Sequence, residues 1–347
     1  MSTNERILQT TEWQSELVLA RDILNERGHL VLPRGTALTT PQLNRLKQLG
    51  ISEVWVREKE PFVPPLISEA IGETYEVAAL FVEDLFAQAS VAKQLDISLA
   101  PEVLSRFLDA CQEETNFLKL IRNLRTLDEY TFQHSLGVGL LSMKIGEWLS
   151  LSKEECDDLL LAGTLHDIGK SQVRQDVLQK PGRLSPEEYE HIKKHTKYGY
   201  KLLRNSGVKE TVAQTALNHH ERLDGSGYPR GLEQAEIDLY SRIVSVADVF
   251  SAMTSRRVYR DAASYYRVLD ELESSSYGAL DPLIVRVFVQ RMASFFVGNI
   301  VELNNGVSGK VVLIPQDRPT RPLLRTEEDY LDLQKHTDLF IEKVLEV

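Results

Sequence analysis

Residues 151–170 read LSKEECDDLLLAGTLHDIGK, and this stretch joins a helix signal to polar residues that can carry chemistry. Ser152, followed three residues later by Glu155, is a capping-box pattern and predicts that a helix begins there. That helix ends where a histidine stands beside a carboxylate, at His166 and Asp167. Apolar spacing and capping signals predict helices at 131–150, 153–165, 186–205, 209–221, 239–256, 264–275 and 281–294.

The regions on either side of this helical run have different patterns. Residues 1–60 predict a small mixed α/β unit, 61–117 a helical linker and 118–293 the helical central domain. Residues 294–347 predict a β-rich tail, because Asn304-Asn305-Gly306 lies between two apolar stretches and is a strong hairpin signal. The fold class is therefore mainly α, with an all-helical core and small β-rich units at both ends. Within the first unit we expect strands at 17–20 and 29–32 around a turn at 25–28, a helix after Thr40 and a strand at 51–56.

The linker carries an apolar stripe at helical spacing, which Phe81 widens. Such a stripe packs either on the chain's own core or against a second copy of the chain. The sequence leaves both alternatives open, and the second makes a homodimer a predicted assembly. The stripe consists of Ile71, Ala78, Val82 and Leu85.

Length and composition limit the class of protein. The 347 residues predict two or three domains, and the net charge of −11 (40 − 51) argues against a broad surface for a nucleic-acid polymer. Two cysteines, Cys111 and Cys156, are too few for a disulfide framework and indicate a reducing compartment. The N-terminus is polar, and no apolar stretch approaches the ~18 residues of a membrane span. We therefore expect a cytoplasmic protein with no membrane span.

Histidine is the most informative residue type, since six of the eight histidines lie between 134 and 220. A buried imidazole must find partners for both ring nitrogens, so a helical core has little use for many of them. Asp248 lies in the apolar run IVSVADVF, where burial of a carboxylate is costly unless a cation or a salt bridge offsets it. Five imidazoles and two carboxylates suit two ions with a bridging carboxylate, and they suit iron, manganese or zinc. The candidate ligands are His134, His166, Asp167, His195, His219, His220 and Asp248.

Basic residues and a glycine-rich loop follow the candidate ligands. Guanidinium groups suit phosphate, although arginines at a helix end often only complement the helix dipole. The loop DGSGYPRG, residues 224–231, contains Tyr228, which either contacts a ligand or packs in a surface turn. The candidate cations are one lysine in HDIGK and three arginines after Asp248, namely Lys170, Arg256, Arg257 and Arg260.

Five motifs follow one another in the chain: YTFQHS (130–135), HDIGK (166–170), HTKYG (195–199), HHERLDGSGYPRG (219–231) and VADVFSAMTSRRVYR (246–260). They resemble the HD-GYP phosphodiesterases, a branch of the HD metal-dependent phosphohydrolase superfamily. The resemblance implies an HD-domain core that hydrolyses cyclic di-GMP to pGpG or GMP through a metal-bridging hydroxide. It also implies that the seven candidate ligands hold metal. It further implies catalytic roles for Asp167 and Lys170, and substrate binding by Tyr228, Arg257 and Arg260.

Two departures from the family pattern concern the metal site. Some members carry a glutamate four residues before the first histidine and hold a third metal. Here that position is Tyr130, so we expect two divalent ions, iron or manganese. The residue after VADVF is usually aspartate and here is Ser251, from which we expect altered local hydrogen bonding rather than loss of activity.

The resemblance makes cyclic di-GMP the expected substrate and a diguanylate cyclase a candidate partner. Two other functions stay open. One is a sensor or adaptor that binds cyclic di-GMP without turnover, and the other is an HD hydrolase of a different nucleotide. The seven filled ligand positions and Tyr228 favour the enzyme over the sensor.

Overall fold

The chain consists of two compact units, Met1–Leu66 and Ile67–Val347. The computed structural model describes residues 6–9, 17–19, 21, 23–24, 30–32, 46–47, 51–58, 68–112, 114, 116–124, 132–178, 180, 182–255, 265–275, 278–327 and 329–346. Each unit is described by itself below.

The described residues of the first unit form two small antiparallel sheets. One has the order β1-β5-β2, with β1 at Arg6–Gln9, β2 at Leu17–Leu19 and β5 at Glu53–Glu58. The other pairs β3, Ile23–Leu24, with β4, Leu30–Leu32. The strands predicted at 17–20 and 29–32 are therefore present, but they belong to different sheets. The predicted turn at 25–28 and most of the predicted helix after Thr40 lie outside the described residues.

The second unit is mainly helical, as predicted. The helical segments foreseen between 128 and 293 are present, and their ends differ from the predictions by a few residues at most. Short 3-10 turns occur at Ile168–Gln172 and Gln234–Glu236. In chain order the described helices are α1 Glu69–Ala89, α2 Ala100–Cys111, α3 Phe117–Leu124, α4 Phe132–Trp148, α5 Lys153–Leu165, α6 Gln175–Leu178, α7 Pro186–Lys193, α8 His195–Asn205, α9 Glu210–Asn218, α10 Leu239–Ser255, α11 Tyr265–Ser275 and α12 Pro282–Ser294.

Two small residues let α4 and α5 approach closely. A Cβ on Gly163 of α5 would lie 2.8 Å from the Cα of Gly139 on α4, so neither helix tolerates a side chain at this crossing. The predicted capping box begins α5, since Ser152 N donates to Glu155 Oε2 over 2.8 Å and Glu155 N to Ser152 Oγ over 3.3 Å. This pair of helices sets the positions of the first histidine motif and of HDIGK.

The predicted helix over 186–205 is divided into two. Lys193 ends α7, Lys194 lies between the two helices, and His195 begins α8. The carbonyl oxygen of Ile192 lies 2.7 Å from His195 Nδ1 at this break. The helix predicted over 209–221 ends earlier, at Asn218, so that its two adjacent histidines lie in the turn that follows. Both differences place histidines at helix ends, where their rings have more freedom to turn toward a common point.

The apolar stripe of the linker packs on the chain's own core. All four of its residues are at most 2% exposed, and α1 contacts α2, α4 and the turn at 168–172. The first of the two alternatives therefore accounts for the stripe. The homodimer stays a prediction, without this stripe as its support.

The tail folds into a five-stranded antiparallel sheet of order β10-β6-β7-β8-β9. The predicted hairpin is confirmed, since Val301 pairs with Gly309 and Gly306 adopts a left-handed φ of 83° in the connecting turn. Residues on the inner face of the sheet share one apolar core with the helices. Within the described residues, no helix is long and apolar enough to cross a bilayer. The strands are β6 Ile300–Leu303, β7 Ser308–Leu313, β8 Leu323–Arg325, β9 Tyr330–Asp332 and β10 Ile341–Glu346.

Candidate metal centre

The seven residues predicted as ligands come together in two adjoining groups. We call Asp167, His195, His219 and His220 the four-residue group, and His134, His166 and Asp248 the three-residue group. Within each group, one potential ligand atom per residue lies within 4.8 Å of all the others. Asp167 connects the groups, because its Oδ1 lies 3.3 Å from His195 Nε2 and its Oδ2 lies 3.3 Å from His166 Nε2.

Helix ends supply most of these side chains. His166 and Asp167 directly follow α5, His195 begins α8, and His219 and His220 lie in the turn that follows α9. The other positions lie within helices, at the start of α4 for His134 and in the middle of α10 for Asp248. A site assembled from the ends and sides of five helices is therefore fixed by the packing of the helical core.

Main-chain carbonyls fix three of the imidazole rings. The Nδ1 atoms of His166, His195 and His219 lie 2.6, 2.7 and 3.1 Å from the carbonyl oxygens of Gly163, Ile192 and Thr215. A carbonyl only accepts, so Nδ1 carries the proton and Nε2 keeps its lone pair. This is the arrangement in which the second ring nitrogen of a metal-binding histidine is commonly held.

Four buried acceptor atoms of the site face no donor in the described structure. The Nε2 atoms of His166, His195 and His219 and the Oδ1 atom of Asp167 are buried, and none of them has a hydrogen-bond partner among the described residues. Buried polar atoms of native proteins are almost always partnered. A cation among these atoms would give each of them a partner, so the donor set fits a metal ion.

His134 is held differently from the other three. Its Nδ1 lies 3.0 Å from the hydroxyl oxygen of Ser251, and its Nε2 lies 3.2 Å from Asp248 Oδ1. The side chains of His134 and Asp248 are 22% and 14% exposed, whereas those of Asp167, His195 and His219 in the four-residue group are at most 6% exposed. The three-residue group is therefore the more open of the two.

Both carboxylates of the site are ionised. Burial acts to raise the pKa of Asp167, but the Lys170 ammonium and His166 outweigh it and hold that pKa well below its usual range. Burial also opposes the ionisation of Asp248, and the contact with His134 and the charge of His166 outweigh it and lower its pKa. Lys170 contacts Asp167 directly. The centre thus combines two anions with one close cation.

The imidazoles of the four-residue group are neutral at pH 7. Burial lowers the pKa of His195 to about 4, and it also lowers the pKa values of His219 and His220. Burial acts in the same direction on His166, but the carboxylates of Asp167 and Asp248 outweigh it and raise its pKa. Neutral imidazoles are the form that binds metal.

A buried glutamate that the sequence reasoning missed organises the glycine-rich loop. The Glu221 carboxylate is 2% exposed and accepts from the main-chain N–H groups of Arg230 and Leu232 over 2.8 and 2.9 Å. A side chain at Gly227 would overlap the main chain of Glu221 and of the next residue. The signal was present, since an acidic residue follows the two histidines directly and precedes a loop whose N–H groups need acceptors.

This loop carries Tyr228 onto the four-residue group. The Tyr228 ring lies 4.7 Å from the His220 ring, and the Tyr189 ring, 47% exposed, lies 6.4 Å beyond it. Lys193 Nζ lies 4.9 and 5.5 Å from the centroids of these two tyrosine rings. The sequence reasoning did not single out Tyr189 or Lys193, because neither belongs to a recognisable motif.

Several predictions lie outside the described residues. Arg256, Arg257, Arg260 and Tyr130 are not among the residues that the structure describes, so their roles stay predictions. His191 lies apart from both ligand groups, with its Nε2 atom 3.5 Å from the main-chain nitrogen of Arg174.

Comparisons with known proteins agree with these motifs. The HD domain family matches residues 118–284. A cyclic di-GMP phosphodiesterase of Pseudomonas aeruginosa is 31% identical over 317 residues, which are 82% of this chain and 76% of that protein. A cyclic di-GMP phosphodiesterase of Thermotoga maritima is 39% identical over 193 residues, 55% of this chain and 52% of that protein.

A third relative differs in its named substrate. The 3'3'-cGAMP-specific phosphodiesterase 1 of Vibrio cholerae is 41% identical over 175 residues, 50% of this chain and 41% of that protein. The chain thus spans about half or less of the length of the Thermotoga and Vibrio relatives, and most of the Pseudomonas one. With a relative matched over most of both lengths, the chain belongs to the HD-domain family, in the HD-GYP branch that its motifs resemble.

Proposed function

We propose that the chain is a metal-dependent phosphodiesterase that hydrolyses cyclic di-GMP to pGpG, to GMP or to both. The observation that carries this proposal is the set of buried acceptor atoms, three imidazole Nε2 atoms and Asp167 Oδ1, to which the described part of the chain offers no donor. Two of the relatives are named as cyclic di-GMP phosphodiesterases, and one of them matches most of both chains. Both observations support the same chemistry, since divalent ions assist phosphodiester cleavage.

Two divalent ions, iron or manganese, are the proposed cofactors. The four-residue group would hold one ion and the three-residue group the other, because imidazoles and carboxylates together suit these metals. Asp167 would bridge them, since its two oxygens face different groups. Such a pair of ions, when bound, activates water at neutral pH and neutralises charge on a phosphoryl group.

Lys170 is the proposed cation beside the scissile phosphate. Its ammonium group contacts Asp167, while 35% of its side chain is exposed, so it lies between the ligands and solvent. Burial acts to lower the pKa of Lys170, but the Asp167 carboxylate outweighs it and raises that pKa, which keeps the ammonium charged. A cation held in place stabilises the negative charge that develops on phosphoryl oxygens during cleavage.

The dinucleotide is proposed to lie against Tyr228, Tyr189 and Lys193. Burial raises the pKa of Tyr228, so its phenol keeps the proton and can donate it to a phosphate oxygen in a hydrogen bond. The exposed Tyr189 ring offers a surface on which a base can stack. Arg257 and Arg260 remain proposed phosphate ligands on the strength of the family resemblance.

A different cyclic dinucleotide, 3'3'-cGAMP, is the alternative substrate. This alternative has its own support, because the Vibrio relative that is specific for it is 41% identical over 175 residues. The two compounds differ in one base, so the phosphodiester chemistry at the ions would be the same. The choice between them would depend on contacts with the bases.

The test begins with anaerobic purification of the full chain, a metal count by elemental analysis, and separate incubation with each dinucleotide plus Fe(II) or Mn(II). We expect about two ions per chain and the appearance of pGpG or GMP from cyclic di-GMP. Chelator-treated protein is the matched control and should form no product. If the ions are bound, cyclic di-GMP stays intact and 3'3'-cGAMP is cleaved, then 3'3'-cGAMP replaces cyclic di-GMP as the proposed substrate. No cleavage of either compound would overturn it.

Three further predictions stay proposals. A homodimer would appear in light scattering as twice the 39.4 kDa chain mass. A diguanylate cyclase partner would be tested by co-purification with a named cyclase. The division into units at 1–60, 61–117, 118–293 and 294–347 would be tested by limited proteolysis, with cuts expected near the proposed boundaries.

A further inference from the structure

The hydrogen bond that holds His134 differs in kind from those that hold the other rings. A backbone carbonyl can only accept, so it forces the neighbouring Nδ1 to carry a proton. A hydroxyl can donate or accept, so Ser251 is compatible with either tautomer of His134. The three carbonyl-bound rings are therefore fixed in the metal-binding tautomer, whereas His134 is not.

Asp248 favours the tautomer of His134 that carries its proton on Nε2. Its Oδ1 lies 3.2 Å from His134 Nε2, which is hydrogen-bonding distance. With the proton on Nε2, the ring donates to this carboxylate, and its Nδ1 accepts from the Ser251 hydroxyl. Every polar atom along this line then has a partner without any ion. The four-residue group has no equivalent arrangement, because the Nε2 atoms of His195 and His219 keep their lone pairs.

We propose that Ser251 lets His134 change tautomer, so that two of the three ligands, His134 and Asp248, are partners of each other without an ion and the three-residue group releases its ion more readily than the four-residue group. Ser251 is in this role a positioning residue, since it acts on an ion through His134. This inference rests on the proposed function, because it presupposes that the two groups bind metal. It adds that the ion of the three-residue group is bound more weakly than the ion of the four-residue group, and that Ser251 is the side chain responsible.

The surroundings of Ser251 permit a sharp test. Ser251 is 2% exposed and borders a cavity of about 20 Å³ that is also lined by Leu124, Gln133 and Leu136. Aspartate and asparagine are each two heavy atoms larger than serine, and this cavity is the space beside Ser251 that is open to them. Ser251→Asp places an acceptor beside Nδ1 and fixes the metal-binding tautomer, as the carbonyls do. Ser251→Asn has the same shape, but it can donate or accept, as serine does.

The first measurement is nitrogen-15 NMR of the histidine side chains in the metal-free full chain, with resonances assigned from single His→Asn variants. We expect the proton of His134 on Nε2, and the protons of His166, His195 and His219 on Nδ1. In Ser251→Asp the His134 proton should move to Nδ1, and in Ser251→Asn it should stay on Nε2. A His134 proton on Nδ1 in the unaltered chain would overturn the proposal.

The second measurement is titration of the metal-free chain with Mn(II), followed by electron paramagnetic resonance of the free ion. We expect two ions of unequal affinity in the unaltered chain. Ser251→Asp should tighten the weaker one about tenfold, the low end of such outer-shell effects, and leave the tighter one unchanged. Ser251→Asn should stay near the unaltered chain, which separates the role of the acceptor from that of added bulk.

Ser142→Ala is the matched control, because this buried hydroxyl lies on the same helix as His134 and donates to the carbonyl oxygen of Val138 within that helix. It should change neither affinity. Equal affinities in the unaltered chain, or equal effects of Ser251→Asp on both ions, would overturn the proposal. Absence of any Mn(II) or Fe(II) binding would instead overturn the proposed function, and the NMR result would still decide the tautomer of His134.

Discussion

The two ligand groups use the same types of side chain, but the three-residue group contains a ring, His134, that is held in a different way from His166, His195 and His219. His166, His195 and His219 each take a carbonyl from the last turn of the helix that precedes them. The last four carbonyls of an α-helix have no regular main-chain partner, so they are available to a ring that follows. His134 lies in the first turn of α4, and its described partner comes from another helix, α10. Position along a helix thus decides how firmly an imidazole is oriented.

The two groups also differ in how readily their imidazoles are protonated. The four-residue group contains one carboxylate and three imidazoles whose pKa values burial lowers. In the three-residue group, the pKa of His166 is raised, because burial is outweighed by two nearby carboxylates. We expect the groups to respond differently to a substitution, to the loop beside them and to pH.

Substitution of Asp167 should have the largest effect on metal binding and activity, because its two carboxylate oxygens face the two ligand groups. Asp167→Asn keeps the shape of the side chain but removes the charge that faces His166, His195 and Lys170. We expect both ions to be lost in elemental analysis and hydrolysis of cyclic di-GMP to fall by roughly 10³-fold. Asp157→Asn, at a half-exposed carboxylate of α5, is the control and should leave both readouts unchanged. Loss of only one ion would show that Asp167 does not bridge the groups.

The loop over the four-residue group offers a smaller and more selective effect. In Glu221→Gln one of the two carboxylate acceptors becomes a donor, which faces a main-chain N–H group in a buried place. We expect the free energy of unfolding to fall by about 1.5–3 kcal/mol, the usual loss for a hydrogen bond to a charged group. The KM should rise because Tyr228 is displaced, while the number of bound ions stays the same.

Glu236→Gln tests whether this effect belongs to the buried carboxylate. Glu236 is exposed and accepts one main-chain N–H, that of Glu233, in the region that follows the loop. It should change stability and KM much less than Glu221→Gln, as measured by chemical denaturation and steady-state assays. Equal effects of the two variants would contradict a special role for Glu221.

Most of the helical domain was predictable because its signals are local, and the seven candidate ligands named from their motifs lie together in the structure. The capping box of α5 and the apolar spacing of α1 depend on residues within a few turns of one another. Contacts between distant residues gave no such signal. Ser251 was expected to alter hydrogen bonding, but its partner is 117 positions away in the chain, so the role of its hydroxyl came only with the structure.

The sheets show the same limit. The hairpin around Gly306 was predicted because the residues that form a tight turn between two strands are adjacent in the sequence. The strands at Arg6–Gln9 and Tyr330–Asp332 were missed, since each is only a few residues long. The partner of Leu17–Leu19 lies about forty residues away, and tertiary packing rather than local pattern decides that pairing.

The response to pH should give the smallest effect, and it separates the two groups by their protons. His166 has a pKa above its ordinary value of 6.5, while that of His195 is lowered to about 4. As the pH falls, a proton therefore competes for the three-residue group first and for the four-residue group much later. With free Mn(II) held constant by equilibrium dialysis between pH 7.5 and 5.5, we expect the chain to fall from two ions toward one. His134→Ala should start near one ion and change little over the same range, because the ligand group that remains resists protonation. A parallel loss of both ions, or an equal pH response of the variant, would mean that the two groups do not differ in the way that their pKa shifts indicate.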